Sequence, residues 1–202
     1  MSKKASRSQR KMSKKEQRRE QVAKETRMRN LKIAVPVLAI IAVLGGILLA
    51  RSLRPEVEGT TVVASAPGNQ HDEDLTFVGG GLPPLGGPHN PSWLNCGIYD
   101  QPVPAENAIH SMEHGAVWVT YDPEIDEAEI AMLTDAARGD GLLILSPYPD
   151  QDSPIVLTTW DRQLALETAV DERYDEFMSR YRGLRGPEAG ASCTGGVGTP
   201  VG

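Results

Sequence analysis

Residues 33–50, IAVPVLAIIAVLGGILLA, run for eighteen positions without a charge between Lys32 and Arg51. At ~1.5 Å rise per residue a helix over this stretch covers about 27 Å, close to the ~30 Å hydrocarbon core of a bilayer. The chain on either side has opposite character. Residues 1–30 hold twelve Lys and Arg against three acids, whereas beyond Arg54 there are six Arg, no Lys and twenty-four Asp and Glu. The net charge of −6 therefore hides a cationic arm joined to a strongly anionic body. The positive-inside rule orients such a segment with its N-terminus in the cytoplasm and the acidic body outside.

A cleaved signal peptide competes with this reading. It usually has a shorter apolar core, a shorter basic region and a small-residue cleavage site close behind. Here the first Ala-x-Ala-like triplet, Ala64-Ser65-Ala66, lies fourteen residues past Ala50. A buried core helix would need a polar face, and none is offered. The segment reads as an uncleaved anchor, with Pro36 in its first turn, where a missing N–H does little harm. The bilayer is then the first partner. The basic arm lacks an apolar stripe, since Met12, Val22 and Met28 do not recur at helical spacing, so it is a solvated helix and topology signal. Anionic lipid headgroups attract such an arm.

The expected organisation is a basic cytoplasmic arm (1–30), a transmembrane signal anchor (31–51), a linker (52–70), an external α+β domain (71–188) and a Gly-rich tail (189–202). Within the linker a short Thr60–Val63 strand is weakly signalled. After a loop-rich stretch from His71 to Pro104, the pattern predicts a short helix from Pro104 through His114, stopped by Gly115. A strand at Ala116–Tyr121, a helix at Glu124–Arg138, strands at Leu142–Leu145 and Ile155–Thr159 and a helix at Val170–Tyr181 follow. This β-α-β-β-α order predicts a small mixed sheet. It also fits the second half of a thioredoxin-like fold, but no Cys-x-x-Cys supports that redox chemistry.

Cys96 and Cys193 are the two cysteines, both beyond the anchor. An even count in an oxidising compartment favours a disulfide that ties the tail to the loop region. The alternative is a free Cys96 thiolate ligating a metal.

All four histidines fall between 71 and 114, and His89, His110 and His114 lie close to the Gly/Pro-rich loop and the short helix. On a helix, 110 and 114 share a face, so two imidazoles can reach one ion, with His89 as a third ligand. On a strand, His110, Met112 and His114 would share a face, an arrangement suited to soft copper. Copper or zinc is the expected cofactor. The segment also matches His-x-x-Glu-His, the inverted zinc-peptidase motif, in which Glu113 would activate water. That motif needs a long helix and a downstream acidic ligand, whereas Gly115 follows at once. The plain structural alternative is that His110, Glu113 and His114 bond one another and loop carbonyls.

Pro83-Pro84-Leu85-Gly86-Gly87-Pro88-His89, Gly97-Ile98-Tyr99, His110-Ser111-Met112-Glu113-His114-Gly115-Ala116-Val117 and Tyr121-Asp122-Pro123 together resemble the domain of unknown function 3105 family. Thr159-Trp160 and Arg185-Gly186-Pro187-Glu188 are later echoes. The resemblance spans about residues 75–188 and implies a membrane-anchored, mostly bacterial protein whose histidine segment matters. The chain departs from the family pattern in three places: Leu85-Gly86 replaces Thr-Ser, Met112 replaces Leu, and Ala116 replaces a second Gly. The family implies no reaction. Arg retained without Lys in the acidic body is consistent with a GC-rich bacterial coding bias.

Three readings stand at this point. One is a membrane-tethered extracytoplasmic binding or accessory domain with a metal site, the second a metal-dependent hydrolase with Glu113 as general base. The third is a structural module that meets other membrane proteins. The chain has no nucleophilic serine motif and no phosphate-cradling loop, since Gly79-Gly80-Gly81 leads into Leu-Pro-Pro rather than a helix. No aromatic-rich basic groove is present, so no nucleic-acid partner is expected.

Overall fold

The computed structural model describes residues 14–201, so the first part of the basic arm lies outside the described residues. The chain divides into two compact units at Pro55. The first is a single helix, α1, Lys14–Ser52. Its described side chains from 17 to 50 are exposed, including Leu38, Leu44 and Leu48, and it is long and apolar enough to cross a membrane. The helix begins well before the apolar run, because Lys, Arg, Glu and Gln are all good helix formers. Pro36 is consequently interior to α1 and not in its first turn. The carbonyl four residues back, on Lys32, loses its helical donor there.

The second unit, Glu56–Gly202, is an α+β domain around a mixed six-stranded sheet. In chain order its elements are β1 (Thr61–Val62), β2 (Gly97–Ile98), α2 (Ala105–Glu113), β3 (Val117–Tyr121), α3 (Glu127–Ala137), β4 (Leu143–Pro147), β5 (Ile155–Thr159), β6 (Arg162–Leu166) and α4 (Arg173–Tyr181). The strands lie in the order β1-β6-β5-β3-β4-β2. β3 runs parallel to β4 through the α3 crossover, with Val119 opposite Leu145, and antiparallel to β5, with Val119 opposite Leu157.

Strand alternation splits the interior into two cores. Val117, Val119, Tyr121, Leu143, Leu145, Ile155, Leu157, Leu164 and Leu166 face α3 and α4, where Leu133, Phe177 and Tyr181 close the layer. Fully burying one such side chain contributes roughly 1.5–3 kcal/mol. The opposite face carries Trp118 and Ile144, covered by Ala105, Ala108, Ile109 and Met112 of α2 and by Trp160. That second face is where the chain builds its cluster of histidines.

Several expectations change. Residues 56–70, read as linker from composition, belong to the compact unit: Val57 is buried in the first core and Thr61 pairs with Gln163. β6 has no counterpart in the sequence reading, because Arg162 and Gln163 are polar yet buried. Gln163 Nε2 donates to Pro83 O at 2.8 Å and Thr158 Oγ1 at 2.9 Å, which satisfies it inside the domain. α4 starts at Arg173, leaving Val170 exposed rather than on its apolar face. The Gly-rich tail is held by partners elsewhere: Cys193 stands at disulfide distance from Cys96, Cα–Cα 5.4 Å, and Val197 bridges to Leu94. Cys96 is thereby engaged with Cys193 and is not a free thiolate ligand.

Candidate metal centre

α2 carries the centre on one face and the core on the other. Pro104 at its N-cap has φ −62°, already suited to a helix start, and the chain enters the first turn without strain. At the other end, Gly115 N–H donates to Met112 O and Ala116 N–H to Ser111 O, the paired bonds of a Schellman stop. Gly115 takes φ +103°, and a Cβ there would stand 3.2 Å from Gly183 Cα. The stop lets His110, Glu113 and His114, at i, i+3 and i+4, share the outer face in the last turn. Met112 points the other way, fully buried between Ile109 and the tryptophans of the second core, and does not reach the centre. This corrects its reading as a soft ligand.

The loops deliver the remaining groups. His89 N–H donates to Gln70 O and Asp72 N–H to His89 O, a one-residue parallel bridge that sets His71 beside His89. The four imidazoles then form a chain of rings, with centroids 5.0 Å apart for His71–His89 and His71–His110, 4.9 Å for His89–His110 and 4.8 Å for His110–His114. His71 is the member that the sequence reading left out. Its one sequence signal is that all four histidines fall in the same short region. Glu113 also joins the ring cluster itself, where the sequence offered it a separate role as a base.

Each of three imidazoles is fixed through Nδ1 to a backbone carbonyl: His89 to Gly87 O at 2.8 Å, His110 to Asn90 O at 2.8 Å and His114 to Ser192 O at 2.6 Å. A carbonyl oxygen only accepts, so Nδ1 must carry the proton in all three rings. Each ring therefore turns its Nε2 toward the centre, the orientation found in histidines that ligate metals. Burial pushes the His110 imidazole below its ordinary value; the bond to Asn90 O opposes this and the neighbouring histidines reinforce it. A lowered value keeps the ring neutral and able to ligate near neutral pH.

Glu113 is fully buried, and its Oε1 accepts Asn69 N–H at 2.9 Å. Its Oε2 lies 2.8 Å from His89 Nε2 and 4.0 Å from His71 Nε2. Despite the short separation, neither His89 Nε2 nor Glu113 Oε2 has a hydrogen-bond partner. Two buried polar atoms thus stand in contact without a formed hydrogen bond, an arrangement that needs a proton or a metal cation between them. His71, His89, His110 and Glu113 each offer one ligand atom, all within 4.8 Å of one another. His114 is absent from that set. It joins His110 and the half-exposed Glu188 in a second group, with His114 Nε2 3.5 Å from Glu188 Oε2.

The C-terminal segment covers the centre. Glu188 N–H donates to Glu113 O and Gly190 N–H to His114 O, so residues 186–192 wrap the end of α2. Backbone approaches are close enough to demand glycine. A Cβ on Gly68 would fall 2.2 Å from Glu113 Oε1, and one on Gly186 2.2 Å from Glu113 O. Gly86, one of the positions that depart from the family pattern, has φ +132° and lies flat against the Trp160 indole. Trp160 in turn meets His89 edge to face at 5.9 Å.

No curated protein and no solved structure matches the chain. A family model does, over residues 79–195, a span that contains His89, His110, Glu113, His114, Glu188 and both cysteines but stops short of His71. That match covers more than half of the sequence, and the chain belongs to the family described as Protein of unknown function (DUF3105).

Proposed function

We propose that the domain is a membrane-tethered module that binds one divalent transition-metal ion at His71, His89, His110 and Glu113. The observation that carries this reading is the buried, unpartnered contact between His89 Nε2 and Glu113 Oε2. A metal cation there bonds both atoms at once, taking the place that a proton would otherwise hold between them. Three imidazoles and one carboxylate suit zinc, and the removal of Met112 from the set takes away the soft ligand that favoured cuprous copper. A tetrahedral ion with bonds of about 2.0–2.2 Å is accommodated by ligand shifts on the order of 1 Å.

The hydrolase reading fits less well. Glu113 Oε1 is occupied by Asn69 N–H and Oε2 faces His89, so the carboxylate acts as a ligand and not as a base toward free water. Tethering is supported by α1, and the N-in orientation by the basic arm that precedes it. The Cys96–Cys193 pair fits an extracytoplasmic, oxidising location. Anionic headgroups and other membrane proteins are the partners such a module would meet. The acidic surface raises the local concentration of cations around the centre.

The test is the metal content of the full chain, purified in detergent without chelator or nickel resin, beside His110→Ala. Near-stoichiometric zinc or copper in the wild type and its loss in the variant is the expected result. No bound metal, even after titration with both ions, would overturn the reading.

A further inference from the structure

Two groups of ligating side chains share one residue. His110 belongs both to the inner set with His71, His89 and Glu113 and to the outer set with His114 and Glu188. Its Nδ1–H is committed to Asn90 O, so a single lone pair serves both sets. One imidazole lone pair holds one ion at a time. The two sets are therefore alternative seats and not a binuclear centre.

We propose that the outer set, His110, His114 and Glu188, is the seat through which a hydrated divalent transition-metal ion reaches and leaves the inner set. His110 hands the ion from one seat to the other. The inference rests on the inner set being a metal seat and adds the route to it.

The inner seat buries its carboxylate. The His89 and Glu113 side chains have no exposed surface, and the exposed member, His71, with 37% of its side chain accessible, is an imidazole stacked on His110 at an interplanar angle of 19°. The outer seat instead presents a carboxylate to solvent. The Glu188 side chain is 40% exposed, so its carboxylate attracts an ion that still holds its water. Beside it, the Ser192 carbonyl holds His114 through Nδ1–H, with Nε2 turned toward Glu188. Trp93 walls this approach, 5.1 Å from the His114 ring and 5.8 Å from the His110 ring. An ion that exchanges water for Glu188 Oε2, then His114 Nε2, then His110 Nε2 loses its shell stepwise. It then needs one short displacement, pivoting on His110, to meet His89 and Glu113. This sequence gives His114 and Glu188 a role that the inner set leaves without explanation.

The experiment uses the full chain in detergent, loaded with zinc and mixed with excess of a zinc-responsive chelating dye. Uptake is followed separately by stopped flow and affinity by equilibrium competition. Removing one unit charge about 4 Å from a cation in largely aqueous surroundings is roughly a fivefold effect on rate. Glu188→Gln should slow release and uptake alike by about that factor, with one ion still bound and affinity within about twofold of wild type. Glu188→Asp should restore most of the rate. His71→Ala should do the opposite, weakening affinity and hastening release. Unchanged rates in Glu188→Gln would overturn the route while leaving the inner seat intact. Weakened affinity without slowing would make Glu188 a ligand of the resting seat, and two ions per chain would break the sharing of His110; either result refutes the proposal. A wild type that binds no zinc refutes both the route and the metal reading.

Discussion

Replacing Glu113 by Gln separates a metal seat from a hydrogen-bonded structural pin, because the two assign opposite signs to the same substitution. Glu113 Oε2 faces His89 Nε2 at 2.8 Å without a formed hydrogen bond. A glutamine can keep Oε1 on Asn69 N–H and place its amide N–H toward His89 Nε2, offering a donor where the carboxylate offers only an acceptor. The stability of metal-free Glu113→Gln should therefore equal or exceed that of the wild type. Were Glu113 an ordinary buried pin, losing its charge would instead cost about 1–3 kcal/mol. With metal the order reverses. An ion at 100 times its Kd stabilises the wild type by about 2.7 kcal/mol. For a domain of about 150 residues the unfolding entropy is roughly 0.3 kcal/mol per kelvin, so the wild-type Tm should rise by about 9 °C. In Glu113→Gln the rise should shrink to about 2 °C or less. The assay is thermal unfolding of the detergent-solubilised chain, followed by near-UV circular dichroism, with chelator and with excess zinc. A metal-free variant that melts several degrees below wild type, or a metal-induced rise equal to that of wild type, would refute the reasoning.

Other perturbations act on separate parts of the molecule. Gly68→Ala pushes a methyl against Glu113 Oε1 and the Pro187 ring, so it should cost about 1–3 kcal/mol in urea unfolding and weaken zinc binding, the signature of overpacking. Reducing the Cys96–Cys193 pair, which closes 97 residues of sequence, should cost about 2–5 kcal/mol in the same assay. It should also free Ser192 and so disorder His114, which the imidazole resonances in NMR would report. The Asp171 carboxyl is held at about 2 by the side chain and then the backbone N–H of Arg173 at the start of α4. A depressed value means that its stabilisation is present above the unfolded value of 3.8 and fades as pH falls toward 2. Asp171→Asn should flatten that stretch of the acid-unfolding curve, though only slightly, because the pair is exposed to solvent.

The elements that were legible in the sequence are those with a local cause. α1 follows from an uninterrupted apolar run, α2 from Pro104 and Gly115 at its ends, and β3 from alternating Val and aromatic residues. The illegible ones depend on partners far along the chain. β6 reads as polar because Arg162 and Gln163 meet their partners, Asp161, Glu56, Pro83 and Thr158, only after folding. β1 and β2 are two residues each and exist because β6 and β4 offer an edge. His89, His110 and Glu113 were visible as candidates, since helical spacing and the Pro-rich loop mark them. His71 was not, because a single backbone bridge to His89 brings it in, and no local pattern encodes such a bridge. Met112 was a ligand only on the strand alternative: with the segment helical, i+2 lies on another side, in the second core.

The same geometry explains why so irregular a segment can hold a demanding centre. A ligand set works only if its side chains cannot relax away from one another, and three of the four imidazoles here are anchored by carbonyls from two distant stretches, at 87 and 90 on one and at 192 on the other. Those stretches have little regular structure of their own. They are fixed to α2 by Asn90 N–H to Glu106 O, Leu94 N–H to Asn107 O and Glu188 N–H to Glu113 O, and to each other by Cys96 and Cys193. α2 in turn is fixed by its apolar face against Trp118 and Trp160. Rigidity thus passes from the sheet to the helix, from the helix to the loops, and from the loops to the second nitrogen of each ring. Cutting any one of these links should loosen the rings before it unfolds the domain, so zinc affinity should fall more steeply than stability when Asn90 or the cysteine pair is perturbed.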